Sequence, residues 1–110
     1  MNTFFAAGNK RSFDDFKKQI PSQVQSMMEA LRDFCFSLGD NVIEDVRMHR
    51  IVFCKSITFR WFADIEPENE TIILKIQRSR KENQEIIRLK PNEDLEHVKK
   101  ILRDAFETIH

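Results

Sequence analysis

The stretch ITFRWFADIEP, residues 57–67, decides the fold class that this sequence predicts. Every second residue in its first part is apolar, at Ile57, Phe59, Trp61, Ala63 and Ile65. A period of two residues is typical of a β-strand with one buried face. The residues in between would lie on the other face. The alternation therefore predicts that Arg60 and Phe62 point away from the core.

The composition indicates one folded domain. The chain has 110 residues, of which 41% are hydrophobic and 33% charged, so it is long enough for one hydrophobic core and is not typical of a disordered protein. We expect a single domain over residues 1–110, with residues 1–11 as a flexible N-terminal segment. Cys35 and Cys54 each lie in an apolar run, which predicts buried, reduced thiols. With no signal peptide or membrane span visible in the sequence, we expect a cytoplasmic protein that does not enter a membrane.

Four consecutive segments have the period and composition of strands. They are MHRIVFCK (48–55), ITFRWFADI (57–65), TIILKIQ (71–77) and EIIRL (85–89). Because no helical segment separates them, an antiparallel meander is the simplest topology. The preceding segment NVIEDV (41–46) fits either a short turn of helix or an extended linker.

Three segments have the signals of helices. Ser12 and Asp15 have the spacing of a capping box, which predicts a short helix to about residue 18. A long apolar stripe then follows Pro21, and Gly39 is placed to end that helix in a left-handed cap. Asn92 is expected to cap the last helix, which carries a second apolar stripe to residue 109. The predicted fold is α+β, with two layers: helices on one face of a four-stranded antiparallel sheet, in the order α-α-β-β-β-β-α.

Three segments resemble a small domain family of unknown function. They are FRWFADIEP (59–67), TIILKIQ (71–77) and IRLKPNEDLEHVKKILRDAF (87–106), and the resemblance extends over roughly residues 24–109. Members of that family are described as predicted transport proteins or are found at the C-termini of restriction-type nucleases. The resemblance implies the same fold and an accessory role. Many members carry a Gly- and His-containing segment before the fourth strand, whereas this chain has RSRKENQ (78–84), so no catalytic residue is carried over.

Residue patterns for catalysis or metal binding are not found in the sequence. The histidines His49, His97 and His110 are far apart and lack partners at ligand spacing. His49 and Cys54 are an odd number of residues apart on a predicted strand, so their side chains would point to opposite faces. We therefore expect a non-enzymatic protein without a metal or a cofactor.

Charge is distributed unevenly, although 18 basic and 18 acidic residues balance over the chain. Residues 47–60 contain four basic and no acidic residues, residues 75–90 contain six basic and two acidic ones, and residues 61–74 contain four acidic ones. Basic and apolar side chains on the face turned away from the helices, together with basic residues of the adjoining loop, form the candidate binding site. Its members are Arg60, Phe62, Ile73, Lys75, Arg78, Arg80, Lys81 and Arg88.

Three interpretations of that candidate site remain open. The face could be an ordinary solvated face of an antiparallel sheet. Phe62 and Ile73 could contact a protein partner or a second copy of the chain. Phe62 could also stack on bases of single-stranded nucleic acid while Arg60 and Lys75 bind phosphates. The sequence favours a protein–protein interaction module. The alternative is a nucleic-acid-binding accessory domain of a restriction or repair system.

Overall fold

The computed structural model describes residues 11–55, 60–79 and 81–109, and within them the chain forms three α-helices and one antiparallel sheet of five strands. The elements are α1 (Phe13–Lys17), α2 (Ser22–Ser37), β1 (Val42–Val46), β2 (Ile51–Lys55), β3 (Arg60–Glu68), β4 (Thr71–Ile76), β5 (Glu85–Leu89) and α3 (Glu96–Thr108). The strands are arranged in the order β1-β2-β3-β4-β5, so each strand pairs with its neighbour in sequence. The α+β class and the antiparallel meander are confirmed. The predicted number of four strands is wrong.

The additional strand is β1, which the sequence left open between a helical turn and a linker. It pairs with β2 from Val42 opposite Lys55 to Val46 opposite Ile51. Met48 and His49 form the turn between the two strands, because the Arg47 backbone N–H donates to the Arg50 carbonyl over 2.8 Å. The predicted strand start at residue 48 is therefore wrong, and β2 begins at Ile51.

An irregularity in β3 reverses two predicted side-chain positions. Phe53 is opposite Ala63 and Cys54 is opposite Trp61, so Phe62 is an extra residue in the β3 register. Such a β-bulge interrupts the two-residue period, and Phe62 and Ala63 are both buried in the core. Phe62 is 0% exposed, so the prediction that it points away from the core is wrong. Trp61, which the alternation assigned to the core, pairs with Cys54 instead.

The β3–β4 hairpin is tighter than the sequence predicts. Pro67 lies within β3 opposite Ile72, and Asn69 begins the turn with a φ of 57°. Asparagine adopts this left-handed conformation more readily than most residues. The β2 register reaches only Ile65, so Pro67 does not interrupt the β2–β3 ladder.

The start of α1 agrees with the sequence, whereas the start of α3 does not. The Ser12 hydroxyl accepts a hydrogen bond from the Asp15 backbone N–H over 3.1 Å, as the capping pattern predicts. Asn92 does not cap α3, because it has a φ of 68° and follows Pro91 in a turn before the helix. A proline followed by a residue with positive φ is typical of a type II turn. Helix α3 begins at Glu96, whose backbone N–H donates to Asp94 Oδ1 over 3.0 Å.

Gly39 follows α2 for a reason other than the predicted one. Its φ is not positive, and Leu38 ends the helix in a right-handed conformation. The prediction of a left-handed cap is therefore wrong. A Cβ atom at Gly39 would lie 2.9 Å from Cζ of the Phe106 ring and 2.9 Å from Asn41 Oδ1. Glycine at this position allows α3 to approach the end of α2 closely.

The core joins the helices to the strands. Helices α2 and α3 contact each other and β4, and α3 also contacts β3. The Phe62 and Phe106 rings meet edge to face, with centroids 5.3 Å apart. Lys55 Nζ donates to the carbonyls of Phe106 and Ile109 over 2.8 and 3.0 Å, which satisfies acceptors at the C-terminal end of α3.

Both cysteines are buried and form no disulfide, as predicted. Cys35 lies in the core, where burial raises the pKa of its thiol. None of the helices in the described part of the chain is long and apolar enough to cross a membrane.

Candidate interaction surface

One side of the sheet points away from the core residues Phe53, Ile65 and Leu74, and we call it the outer face. Residues that pair in register lie on the same side of a sheet, so the ladders identify its members. One row contains Ile43, Cys54 and Trp61; a second contains Asp45, Val52, Asp64, Lys75 and Ile86; a third contains Glu66, Ile73 and Arg88.

Several apolar side chains of the outer face are accessible. Ile86 is 62% exposed, the largest exposed fraction among the large hydrophobic residues of the described chain. Trp61, Ile43 and Ile73 are half-buried. The neighbours of each of these residues in its strand point to the other side of the sheet. These apolar side chains therefore lie on the outer face and are not part of the core. Aromatic and aliphatic groups in this state gain contact area when a second surface covers them.

A charged cluster occupies the middle of the outer face. Arg50 Nη1 lies 3.0 Å from Asp64 Oδ2, and Arg50 Nη2 lies 3.2 Å from Glu66 Oε1. The hydrogen bond that Arg50 donates to Asp64 raises the pKa of Arg50. Asp64 is only 9% exposed. Its second oxygen, Oδ1, is buried without a hydrogen-bond partner within the described residues. The Arg50 charge therefore compensates a carboxylate that could not stay buried alone.

The remaining arginines near the outer face are also paired. Arg88 Nη1 lies 3.0 Å from Glu68 Oε1, and Arg47 Nε lies 2.9 Å from Asp45 Oδ2. These pairs are half exposed and contribute little to stability. Their effect on recognition is larger, because each carboxylate reduces the positive charge that an approaching phosphate would meet.

The structure brings together three of the eight predicted site residues. Ile73, Lys75 and Arg88 share the outer face through regular pairing of β4 with its neighbours. Phe62 lies in the core. Arg60 pairs with Lys55, whose side chain points to α3, so the predicted grouping of Arg60 with Lys75 and Arg88 on one face is wrong.

The other three predicted residues lie at or near the β4–β5 connection. Arg78 binds Asp104 of α3 over 2.7 Å and Glu85 over 3.0 Å, and these hydrogen bonds raise its pKa. It therefore connects the end of β4 to α3. Lys81 is exposed, and Arg80 lies outside the described residues.

Sequence reasoning missed Ile43, Trp61 and Ile86 as members of the outer face. Ile86 could have been found, because the β5 segment EIIRL alternates regularly. Trp61 could not have been assigned to this face without knowledge of the bulge in β3. Ile43 could not have been assigned without the additional strand.

Among the described residues, no group of three or more His, Cys, Asp or Glu side chains is arranged to hold a metal ion. The chain matches no protein-family model, no curated protein and no solved structure.

Proposed function

We propose that this domain is a protein-interaction module and that the outer face of the sheet is its contact surface. One observation carries the proposal: the arginines at this face are paired with carboxylates of the same chain, while Trp61, Ile73 and Ile86 remain accessible. Accessible apolar groups surrounded by internally paired charges match the composition of protein interfaces. Tryptophan is also among the residues that contribute most when an interface forms.

The proposal includes a two-layer arrangement. Helices α2 and α3 would cover the core side of the sheet, and the partner would cover the outer face. The contact of Phe62 with Phe106 and the packing of α2 on β4 support this arrangement. A sheet packed on one side leaves its other side available to solvent or to a partner.

The alternative is a nucleic-acid-binding accessory domain, as the family resemblance in the sequence suggests. Asp64 and Glu66 balance the charge of Arg50, so a phosphate would gain less from binding Arg50 than from binding an unpaired arginine. Phe62, the predicted stacking residue, is buried. These two observations favour a protein partner over a nucleic acid.

We place the module in the cytoplasm. Cys35 and Cys54 are free thiols, and free thiols are the usual state of cysteines in a reducing compartment.

Intrinsic fluorescence tests the proposal, because Trp61 is the only tryptophan of the chain. If two copies associate through the outer face, Trp61 emission shifts to shorter wavelength as protein concentration and sedimenting mass rise together. Single-stranded DNA at low salt should leave the emission unchanged. A shift that DNA causes and that salt reverses would support the nucleic-acid alternative instead. The logarithm of the DNA affinity should then fall with the logarithm of the salt concentration, with a slope of roughly 0.7 per phosphate contacted.

A further inference from the structure

A second candidate binding region lies beside β1, at the edge of the sheet. It is a cleft of about 640 Å³ between that strand and the N-terminal part of the described chain. Its lining residues are Arg11, Ser12, Phe13, Arg32, Glu44, Asp45, Val46 and Arg47. Four of them are consecutive, from 44 to 47. Successive side chains of a strand point to opposite faces, so a cleft lined by all four borders the edge of the strand.

The backbone of β1 offers hydrogen-bonding groups to this cleft. Because β1 is the first strand in the sheet order, only one of its edges is occupied by β2. Arg47 bonds to Arg50 across the turn, so alternate residues Asp45 and Ile43 also direct their backbone groups to β2. The N–H and C=O groups of Val42, Glu44 and Val46 then point to the free edge. Within the described residues they bond to no other segment.

Two oriented guanidinium groups also make the cleft suitable for binding anionic groups. Arg32 Nε and Nη2 bind Glu44 over 2.6 and 3.2 Å, and its guanidinium lies 4.4 Å from the centroid of the Phe13 ring. Arg47 binds Asp45 through Nε alone among the described contacts. A guanidinium has five N–H donors, so each retains donors for a further carboxylate. With Arg11, the lining carries three arginines against two carboxylates, an excess of one positive charge.

We propose that this cleft accepts an extended acidic segment of a partner protein. The segment would add to the sheet as a further strand along β1, bonding to the free groups of Val42, Glu44 and Val46. Its carboxylates would bind the remaining donors of Arg32 and Arg47 and the side chain of Arg11. Strand addition supplies affinity through main-chain bonds, and the arginines select for acidic side chains. The free edge of β1 borders the outer face at Asp45 and Arg47, but this inference does not depend on the function proposed for that face.

The test uses the full chain, labelled with ¹⁵N, and a synthetic peptide of seven residues, Val-Glu-Glu-Val-Glu-Glu-Val. Its neighbouring glutamates point to opposite faces of an added strand, as do Glu44 and Asp45, the partners of Arg32 and Arg47. We expect the backbone amides of Glu44 and Val46 to exchange more slowly with solvent when this peptide binds. The amides of Ile43 and Asp45, which already bond to β2, should change little. A matched peptide with Lys in place of Glu should bind at least about tenfold more weakly, a factor that corresponds to about 1.4 kcal/mol.

Two variants locate the peptide. Val46→Pro removes a donor at the free edge without removing a bond to β2, so it should keep the fold and lose binding. Arg47→Gln should weaken binding of the acidic peptide by about two- to fivefold, as expected for an exposed charge pair. Binding of the Lys peptide should not change. If Val46→Pro does not fold, the exchange pattern of the unaltered chain and the Arg47→Gln result decide the question.

Three results would overturn the inference. They are the absence of binding at millimolar peptide, equal binding of the Glu and Lys peptides, and protection of amides elsewhere in place of those of β1. A peptide that shifts Trp61 emission but leaves the β1 amides unchanged binds the outer face. It would contradict this inference while supporting the proposed function. Protection of Glu44 and Val46 supports the inference whatever is found for the outer face.

Discussion

Trp61 and Phe62 are adjacent residues with opposite roles, and their difference originates in one bulged position. Phe62 contacts Phe106 in the core, whereas Trp61 is half-buried on the outer face. We predict that Phe62→Ala lowers the free energy of unfolding by roughly 3–5 kcal/mol, because it removes a buried ring and leaves a cavity. Trp61→Ala should cost at least about 2 kcal/mol less than that, by comparison with typical losses at non-core positions. Urea denaturation of the two variants makes the comparison. A larger loss for Trp61→Ala would show that the regular alternation is correct and the bulge is not.

The thiol of Cys35 makes stability depend on alkaline pH. Burial raises its pKa above the ordinary value of 9.0, so the unfolded chain releases this proton at lower pH than the folded chain does. The stabilisation is therefore complete below pH 9 and decreases as pH rises above it, by up to about 1.4 kcal/mol per pH unit. The chain contains no tyrosine to titrate in the same range. Denaturant unfolding between about pH 8.5 and 10 should show a shallower decline for Cys35→Ala than for the unaltered chain. Equal slopes would contradict a buried thiol at this position.

At the scale of elements, the connection after α2 depends on a close approach rather than on a left-handed cap. We predict that Gly39→Ala costs about 1–3 kcal/mol, because the added methyl group would overlap the Phe106 ring and Asn41. The control is the same substitution in a Phe106→Leu background, where the smaller side chain leaves space. The two substitutions should then be non-additive, with the double variant more stable than the sum of the single losses. Additive losses in a double-mutant cycle would contradict the steric account.

The strands and helices that the sequence predicted well are those with a regular pattern. Strands β4 and β5 alternate without interruption, so Ile73, Lys75 and Arg88 were assigned to the correct face. Helix α3 places Phe106 in the core as its apolar spacing indicates.

The elements that the sequence did not predict have patterns that depend on their surroundings. β1 carries adjacent acidic residues, and Glu44 is accommodated because Arg32 of α2 binds it. Local alternation does not reveal a salt bridge between elements far apart in the chain. A bulge likewise becomes visible only when the partner strand is known, and for that reason the positions of Arg60 and Phe62 were wrong.

At the scale of the whole molecule, folding brings the basic and acidic segments of the sequence into contact. Arg50 lies in the first basic segment and Asp64 in the acidic one, while Arg88 of the second basic segment reaches Glu68. A charge pattern that suggests a polyanion partner in the linear sequence thus becomes a set of internal pairs. We predict that association through the outer face depends only weakly on salt, since few counterions would be released. Sedimentation between low and moderate ionic strength checks this, and a steep loss of association with salt would contradict it.

The most direct test of the outer face is photo-crosslinking in the cells that make this protein. Benzoylphenylalanine at position 86 replaces a 62% exposed isoleucine on the face, and the same amino acid at position 48 replaces a 56% exposed methionine in the β1–β2 turn as the matched control. We predict a discrete protein adduct from position 86, identified by mass spectrometry as a partner or a second copy of the chain, and no such adduct from position 48. A nucleic-acid adduct from position 86, or the same adducts from both positions, would contradict the claim that this face is a specific protein contact surface.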